Sequence, residues 1–503
     1  MLQKHYNVSL SKTNKMKQMS LLGRMASLAL CLTALCTTAS ADSESSQKMP
    51  VMRITVDGSI TRDMKYTNGT MQLTDTDGSV VDMKAKFRTR GATARRFLMK
   101  PSLNMKLRTD DYSASQDSAL LGMRSISKWI LDAMAIDRIC MRNRVAMDIW
   151  NEYSHLPYDT DFGSRSGTEG KFIEMYINGE YKGIYCLSDH INRKLLDLKK
   201  YDEKKQKVRG VLYKSGTEDI ADQNNRNFTD DWTAGTISWH NAWELKEPED
   251  FECEEAWQPL IDLYDNQTTY EAVKKYFFID NLVDYQLHIM ALSIQDNWGN
   301  KNHYFSIRNI QKDIDDEDPT EAARRKCIVS PWDLDTSLGG RYDGGYFGGN
   351  YSNWTPDQVV KNGGCYPFSI CQGSAEYKAR LKKRWAELRT STYSPESINH
   401  RLEAYRDLFI GSGAWQRMTN HFDSQSSKPM YVNDLDTEIK LVEQWYSLRF
   451  AQMDEYFGTS TGIVTVCADG TKADEAIYSV EGVRLNEAPS KGLYIQGGKL
   501  RMK

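Results

Sequence analysis

Two short stretches hold the residues best suited to chemistry. Asp296-Asn297-Trp298-Gly299-Asn300-Lys301-Asn302 offers a carboxylate and three carboxamides beside a glycine that permits a tight bend. Pro331-Trp332-Asp333-Leu334-Asp335 places two Asp residues at i and i+2. On a strand that spacing turns both side chains to one face. Grouped oxygen donors suit a hard cation such as Mg2+, which keeps waters and phosphates in its shell. Asp and Asn beside Gly are also ordinary turn residues, so the chemical reading rests on both stretches together, each flanked by aromatics.

The elements that must position them are legible in part. Ile279, Leu282, Val283, Leu287 and Met290 follow helical spacing, so a buried helix delivers the Asp296 stretch. Val81, Met83, Ala85 and Phe87 alternate with polar residues after the turn Asp77-Gly78. Leu103, Met105 and Leu107 alternate likewise, which puts Lys106 on the polar face of a strand. Ile173, Met175 and Ile177 run into the hairpin signal Asn178-Gly179, and the returning strand delivers Asp189 just past its end. Residues 118–155 read as helical, with Trp129, Ile130, Ala133 and Met134 along one face. Residues 202–250 are charged and poor in apolar residues, and read as an insertion or loop region. The glycine-rich run from Gly339 to Asn350 is either a loop over a site or a connector. Residues 375–457 read as helices, one of them capped by Ser394-Pro395.

Six segments in order resemble the spore coat protein H (CotH) kinase family, over roughly residues 85–457. They are Phe87 to Gly91, Lys100 to Lys106, Met141 to Asn143, Asn178 to Tyr185, Asp296 to Asn302 and Trp332 to Asp335. The resemblance implies an α+β, divergent (atypical) protein-kinase-like fold with a β-rich N-lobe and a helical C-lobe. It implies ATP and Mg2+ (or Mn2+), and phosphorylation of Ser or Thr in exported proteins. By the resemblance, Lys106 holds the α- and β-phosphates and Asp296 accepts the hydroxyl proton. An acid should anchor Lys106; where the family usually has Glu this chain has Asp189, one methylene shorter. Mg2+ falls to Asp333 or Asp335. Protein kinases place a metal-binding Asn five residues after the catalytic Asp, whereas Asn300 and Asn302 lie four and six after Asp296, so both stay candidates. Arg88 and Arg90 either clamp phosphate or pair with acids, and Arg142-Asn143, opening a helix, reads as structural. A catalytically weak surface protein, binding glycan or host protein on the same scaffold, is the alternative.

Composition bounds the rest. The 503 residues carry 65 basic and 68 acidic side chains, a net charge of −3, and show no basic stripe that would call for nucleic acid. Lys15, Lys17 and Arg24 precede the apolar run Met25–Cys36, and Ala39-Ser40-Ala41 follows. That order reads as a signal peptide over 1–41, with Met16 a possible start, and implies export to the periplasm, the cell surface or the medium. The run is too short to span a membrane. Seven cysteines remain after it, too sparse for a disulfide scaffold, although Cys365 and Cys371 are close enough in sequence to pair. The main domain then runs 42–458. After the linker Thr459–Gly462, residues 463–503 form a small β-rich module. Its last ~30 residues resemble the sorting modules of type IX secretion substrates in Bacteroidetes-like bacteria, which would make secretion machinery a partner beside a protein substrate. No phosphate-binding glycine loop of the Gly-x-x-x-x-Gly-Lys type occurs.

Overall fold

Alternation in the first part of the chain becomes a closed β-barrel. The computed structural model describes residues 47–62, 65–91, 99–215, 243–249, 253–265, 269–297, 302–310, 325–341, 343–345, 355–356, 367–425, 429–459, 477–479, 484–487, 493–496 and 499–502. The barrel contains β1 (Val51–Val56), β2 (Thr67–Thr74), β3 (Val80–Thr89), β4 (Leu103–Arg108), β5 (Lys128–Asp132), β6 (Gly170–Ile177) and β7 (Glu180–Ser188). Their order is β1-β2-β3-β4-β5-β7-β6, and β6 closes the ring by pairing with β1 in parallel. Met52, Ile54, Met71, Leu73, Phe87, Leu103 and Met105 fill one cluster with inward-facing side chains. The period of two therefore leaves Arg88 and Lys106 on the outer face. The Asn178-Gly179 hairpin forms as read, with φ of 50° and 83° at its two central residues, the left-handed pair that favours Asn-Gly.

The second half is built around a helix. α1 (Arg142–Tyr153) follows β5, and β8 (Val211–Ser215) and β9 (Trp243–Glu247) follow the barrel. Then come α2 (Glu254–Asp265), α3 (Tyr270–Tyr276), α4 (Ile279–Leu292), β10 (His303–Ile307) and β11 (Ile328–Pro331). A second sheet has the order β11-β10-β8-β9, all antiparallel. α5 (Phe368–Cys371), α6 (Ala375–Arg389), α7 (Pro395–Gly411), α8 (Ala414–Phe422) and α9 (Leu435–Phe457) complete the helical part. α4 is buried on nearly every side and packs on α1, α6, α9 and β11. Ser293 ends it in the left-handed region at φ 49°. The guanidinium of the buried Arg449 donates two hydrogen bonds to Met290 O, at 2.8 and 2.5 Å, satisfying a carbonyl the last turn leaves open. The helix thus ends at a defined point, three residues before Asp296.

Two sequence expectations are corrected. The stretch 118–155 is not all helical: Lys128–Asp132 is β5, paired with β4 and β7. Its three central residues are all buried, so the alternation that marks a half-exposed strand is missing. The charged region 202–250 also contains β8, a buried strand lying between β10 and β9. The chain is mixed α+β with a β-rich N-terminal part, as expected. Ser394 caps α7 by accepting from Ser397 N, with Pro395 in the first turn. β12 (Ile477–Ser479), β13 (Arg484–Leu485), β14 (Leu493–Gln496) and β15 (Lys499–Met502) form an antiparallel sheet of their own. The apolar run Met25–Cys36 expected to belong to a signal peptide, Asn300, Cys365, and residues 342 and 346–350 of the glycine-rich run lie outside the described residues. No helix among the described residues is long and apolar enough to cross a membrane.

Candidate active site

A cleft of about 830 Å³ opens between the outer face of the barrel and the second sheet, lined by both sets of sequence-singled residues. Arg88, Arg90 and Lys106 come from the barrel side; Asp296, Asn302, Asp333 and Asp335 come from the other.

On the barrel side, Lys86 faces Lys106 and Arg88 faces Asn104 in the β3–β4 ladder. Arg88 and Lys106 are therefore diagonal neighbours on one face. Tyr66, just before β2, lies under both: the Arg88 guanidinium and the Lys106 ammonium each sit 4.7 Å from its ring centroid. The negative face of the ring offsets part of the repulsion between two cations held close together. Arg90 lies past the end of β3. Its backbone N–H donates to Ser102 O at 3.0 Å, and its guanidinium sits 5.5 Å from the Trp332 ring. It thus touches the segment that carries the two Asp residues.

On the acid side, a turn of 3-10 helix, Gln295–Asn297, presents Asp296, whose N–H donates to Thr336 Oγ1 at 3.3 Å. Asn297 is fully buried, and its amide donates to Asn302 O and Trp332 O, both at 2.8 Å. Trp332 N donates to the same Asn302 carbonyl at 2.9 Å. The two motifs are thus tied to each other directly. Asn302 and Asp333 both adopt left-handed backbone, at φ 60° and 59°. Non-glycine residues hold that conformation only when their surroundings impose it, and such positions cluster at functional sites. Arg142 secures the far end of the loop: it donates to Leu338 O at 3.4 Å and is held by Asp137 at 2.6 Å. Burial pushes the Asp335 carboxyl well above the usual carboxylate range, and the negative charges of Asp333, Asp132 and Asp296 add to the effect.

Asp189 does not join this assembly. It is fully buried beneath the wall formed by His190 to Lys194. Its carboxylate meets Arg124 Nε at 2.5 Å and accepts from Glu169 N at 2.8 Å. The expected anchoring of Lys106 by Asp189 is therefore replaced by a closed pair with Arg124. Sequence reasoning also passed over three residues. Tyr66 gives no local signal at all. Asn297 was only one carboxamide among several in its motif. Asp132 was hidden in a strand misread as helix, yet it lines the cleft.

Among the described residues, no three His, Cys, Asp or Glu side chains form a ready-made metal cage. The donor set is instead the two carboxylates Asp333 and Asp335 on one short segment, with Asp296 lining the same cleft. That fits Mg2+, which is held by one or two carboxylates plus substrate phosphates. A divalent cation would offset the burial and the neighbouring negative charges that push the Asp335 carboxyl upward.

Residues 87–453, well over half of the chain, match the family model described as CotH kinase protein. No curated protein matches the chain.

Proposed function

Because the chain belongs to the CotH kinase protein family, we propose that it is an exported atypical protein kinase that transfers the γ-phosphate of ATP to Ser or Thr of secreted or surface proteins. One observation supports this most directly: a single cleft faces Arg88, Arg90 and Lys106 toward Asp296, Asp333 and Asp335. Phosphoryl transfer asks for positioning and charge neutralisation rather than covalent chemistry, and opposed walls of this kind provide both.

In this reading Lys106 and Arg88, braced on Tyr66, hold the phosphates from the barrel side, and Arg90 reaches them beside Trp332. Asp333 and Asp335, with the Asn302 carboxamide or that of Asn300, hold Mg2+ (or Mn2+), which would neutralise phosphate charge when bound. Asp296 accepts the proton of the acceptor hydroxyl. Its turn is fixed through Asn297 to the same segment that carries the metal-binding pair, so base and cation site keep one spacing. The engagement of Asp189 by Arg124 favours a second reading, a weakly catalytic surface-binding protein, because a lysine anchor typical of the family is then missing at that position.

The test is incubation of the mature protein with labelled ATP and Mg2+ or Mn2+, followed by phosphosite mapping, with Asp296→Asn alongside. Asn keeps the shape and removes the proton acceptor. General-base help is worth about 10²–10⁴-fold, so transfer should fall at least about a hundredfold while nucleotide affinity stays within a few-fold. Absence of transfer by the wild type, with either cation and several acceptor proteins, would reject the kinase reading in favour of binding. Unchanged transfer in the variant would remove Asp296 from the mechanism.

A further inference from the structure

We propose that Asn143 and Asp132 are positioning residues that together set the spread of the Asp333–Asp335 pair. The Leu334 N–H belongs to the peptide between the two carboxylates. It donates to Asn143 Oδ1 at 3.1 Å. Asn143 Nδ2 donates in turn to Asp132 Oδ2 at 3.0 Å. This orientation is dictated by the partners. A peptide N–H only donates and an ionised carboxylate only accepts, so the carboxamide has one way to face both. The other Asp132 oxygen accepts from Met134 N at 3.1 Å and from Ser102 Oγ at 3.3 Å.

The chain of bonds therefore runs from the barrel, through the end of β5 and the first turn of α1, to the backbone between the two candidate ligands. It ends next to the left-handed residue Asp333, where the backbone needs outside support. The Leu334 side chain is wholly buried, so the peptide is held from two sides. Asp132 also lines the cleft, as Asp333 and Asp335 do, so its carboxylate adds negative potential there. Two contributions follow from one relay: geometry from Asn143 and added negative potential from Asp132. Partners of this outer kind orient first ligands, and their loss typically weakens metal affinity about 10–100-fold.

The inference rests on the kinase reading only in that the pair takes a divalent cation. It is tested on the full chain with Mn2+ as probe. Binding is followed by electron paramagnetic resonance with and without ADP, beside hydrogen exchange at the Leu334 amide and the melting temperature. Asn143→Ala should weaken Mn2+ at least about tenfold and speed exchange at Leu334. Asp132→Asn keeps an acceptor for Asn143 and removes the charge, but turns its amide nitrogen toward Met134 N and Ser102 Oγ, so Mn2+ should weaken and the melting temperature fall while Leu334 stays protected. Should Asn143→Ala fail to fold, Asn143→Gln, which moves the same groups outward by a methylene, should show the same loss of affinity at a near-native melting temperature. Wild-type Mn2+ affinity in folded Asn143 variants overturns this inference alone. A wild-type protein that takes no Mn2+, with or without ADP, overturns it together with the metal-dependent kinase reading.

Discussion

Asp189 and Arg124 form a closed pair: the carboxylate and the guanidinium meet at 2.5 Å, with side-chain exposures of 0% and 1%. Arg124 also donates to His190 O at 2.6 Å and to Asn192 Oδ1 at 3.1 Å. The pair thus fastens the cleft-lining segment 190–194 to the loop before β5. In this structure the Asp189 carboxylate is engaged by Arg124, which in turn holds the wall of the cleft.

Removing one partner leaves the other charge buried and unpaired, which costs about 3–5 kcal/mol. Asp189→Ala should therefore lower the melting temperature sharply. Asp189→Glu restores the residue usual in the family, but here it must fit an added methylene into a packed site, at a cost of about 1–3 kcal/mol. It should destabilise without raising phosphate transfer. Thermal melts and transfer rates of both variants check this; a more active Asp189→Glu protein would show that the pair can rearrange toward Lys106.

Asn297 should be more sensitive to charge than to truncation. Asn297→Ala leaves a buried carbonyl of Trp332 without its side-chain donor, worth about 1–3 kcal/mol. Asn297→Asp keeps the shape but aims a carboxylate at two carbonyl oxygens. The Asp variant should have the lower melting temperature and the weaker Mg2+-dependent ATP binding, read by calorimetry. The reverse order would mean that the contact with Trp332 does not hold the two motifs together.

Acid should destabilise the fold through buried His288 and half-buried His190. His288 is fully buried, and burial pushes its pKa from 6.5 down to about 3. His190 moves the same way, to about 3, through burial and the nearby Arg124. Both are neutral in the folded chain, while the unfolded chain takes up protons near 6.5. Between those values the unfolded state binds more protons, so this stability is present above pH 6.5 and is lost as pH falls below it. His288→Gln should flatten the fall in melting temperature between pH 7 and 5. Equal slopes for wild type and variant would assign the acid sensitivity elsewhere.

The terminal segments carry the proposed export and sorting. Mature protein should begin after Ala41, which N-terminal sequencing decides; an intact start at Met1 or Met16 refutes it. Deleting 463–503 should leave a folded core yet stop delivery to the surface in the native host. Normal delivery of the truncated protein would refute the sorting role, and an unfolded core would refute separability.

What the sequence determined by itself is local. Period-two alternation put Arg88 and Lys106 each on the polar face of its own strand, the Asn178-Gly179 turn forms at its sequence signal, and the 279–292 helix delivers Asp296. In each case the physics lies within a few residues: side-chain period, turn conformation, helix facing. What only the tertiary structure decided involves distant partners. β5 lost its alternation because Trp129 and Leu131 pack inside the barrel while Ile130, on the other face, is covered by the cluster of Leu156, Tyr158 and Ile191, and β8 is buried because Val211 and Tyr213 pack into one core and Leu212 into another. Asp189 meets Arg124 across 65 positions, and Asn143 reaches Leu334 across 191. No window of sequence contains both ends of such a contact. The same chemical motifs were therefore visible from the start, while the partner of each charge waited on how the barrel closes and how the second sheet packs against it.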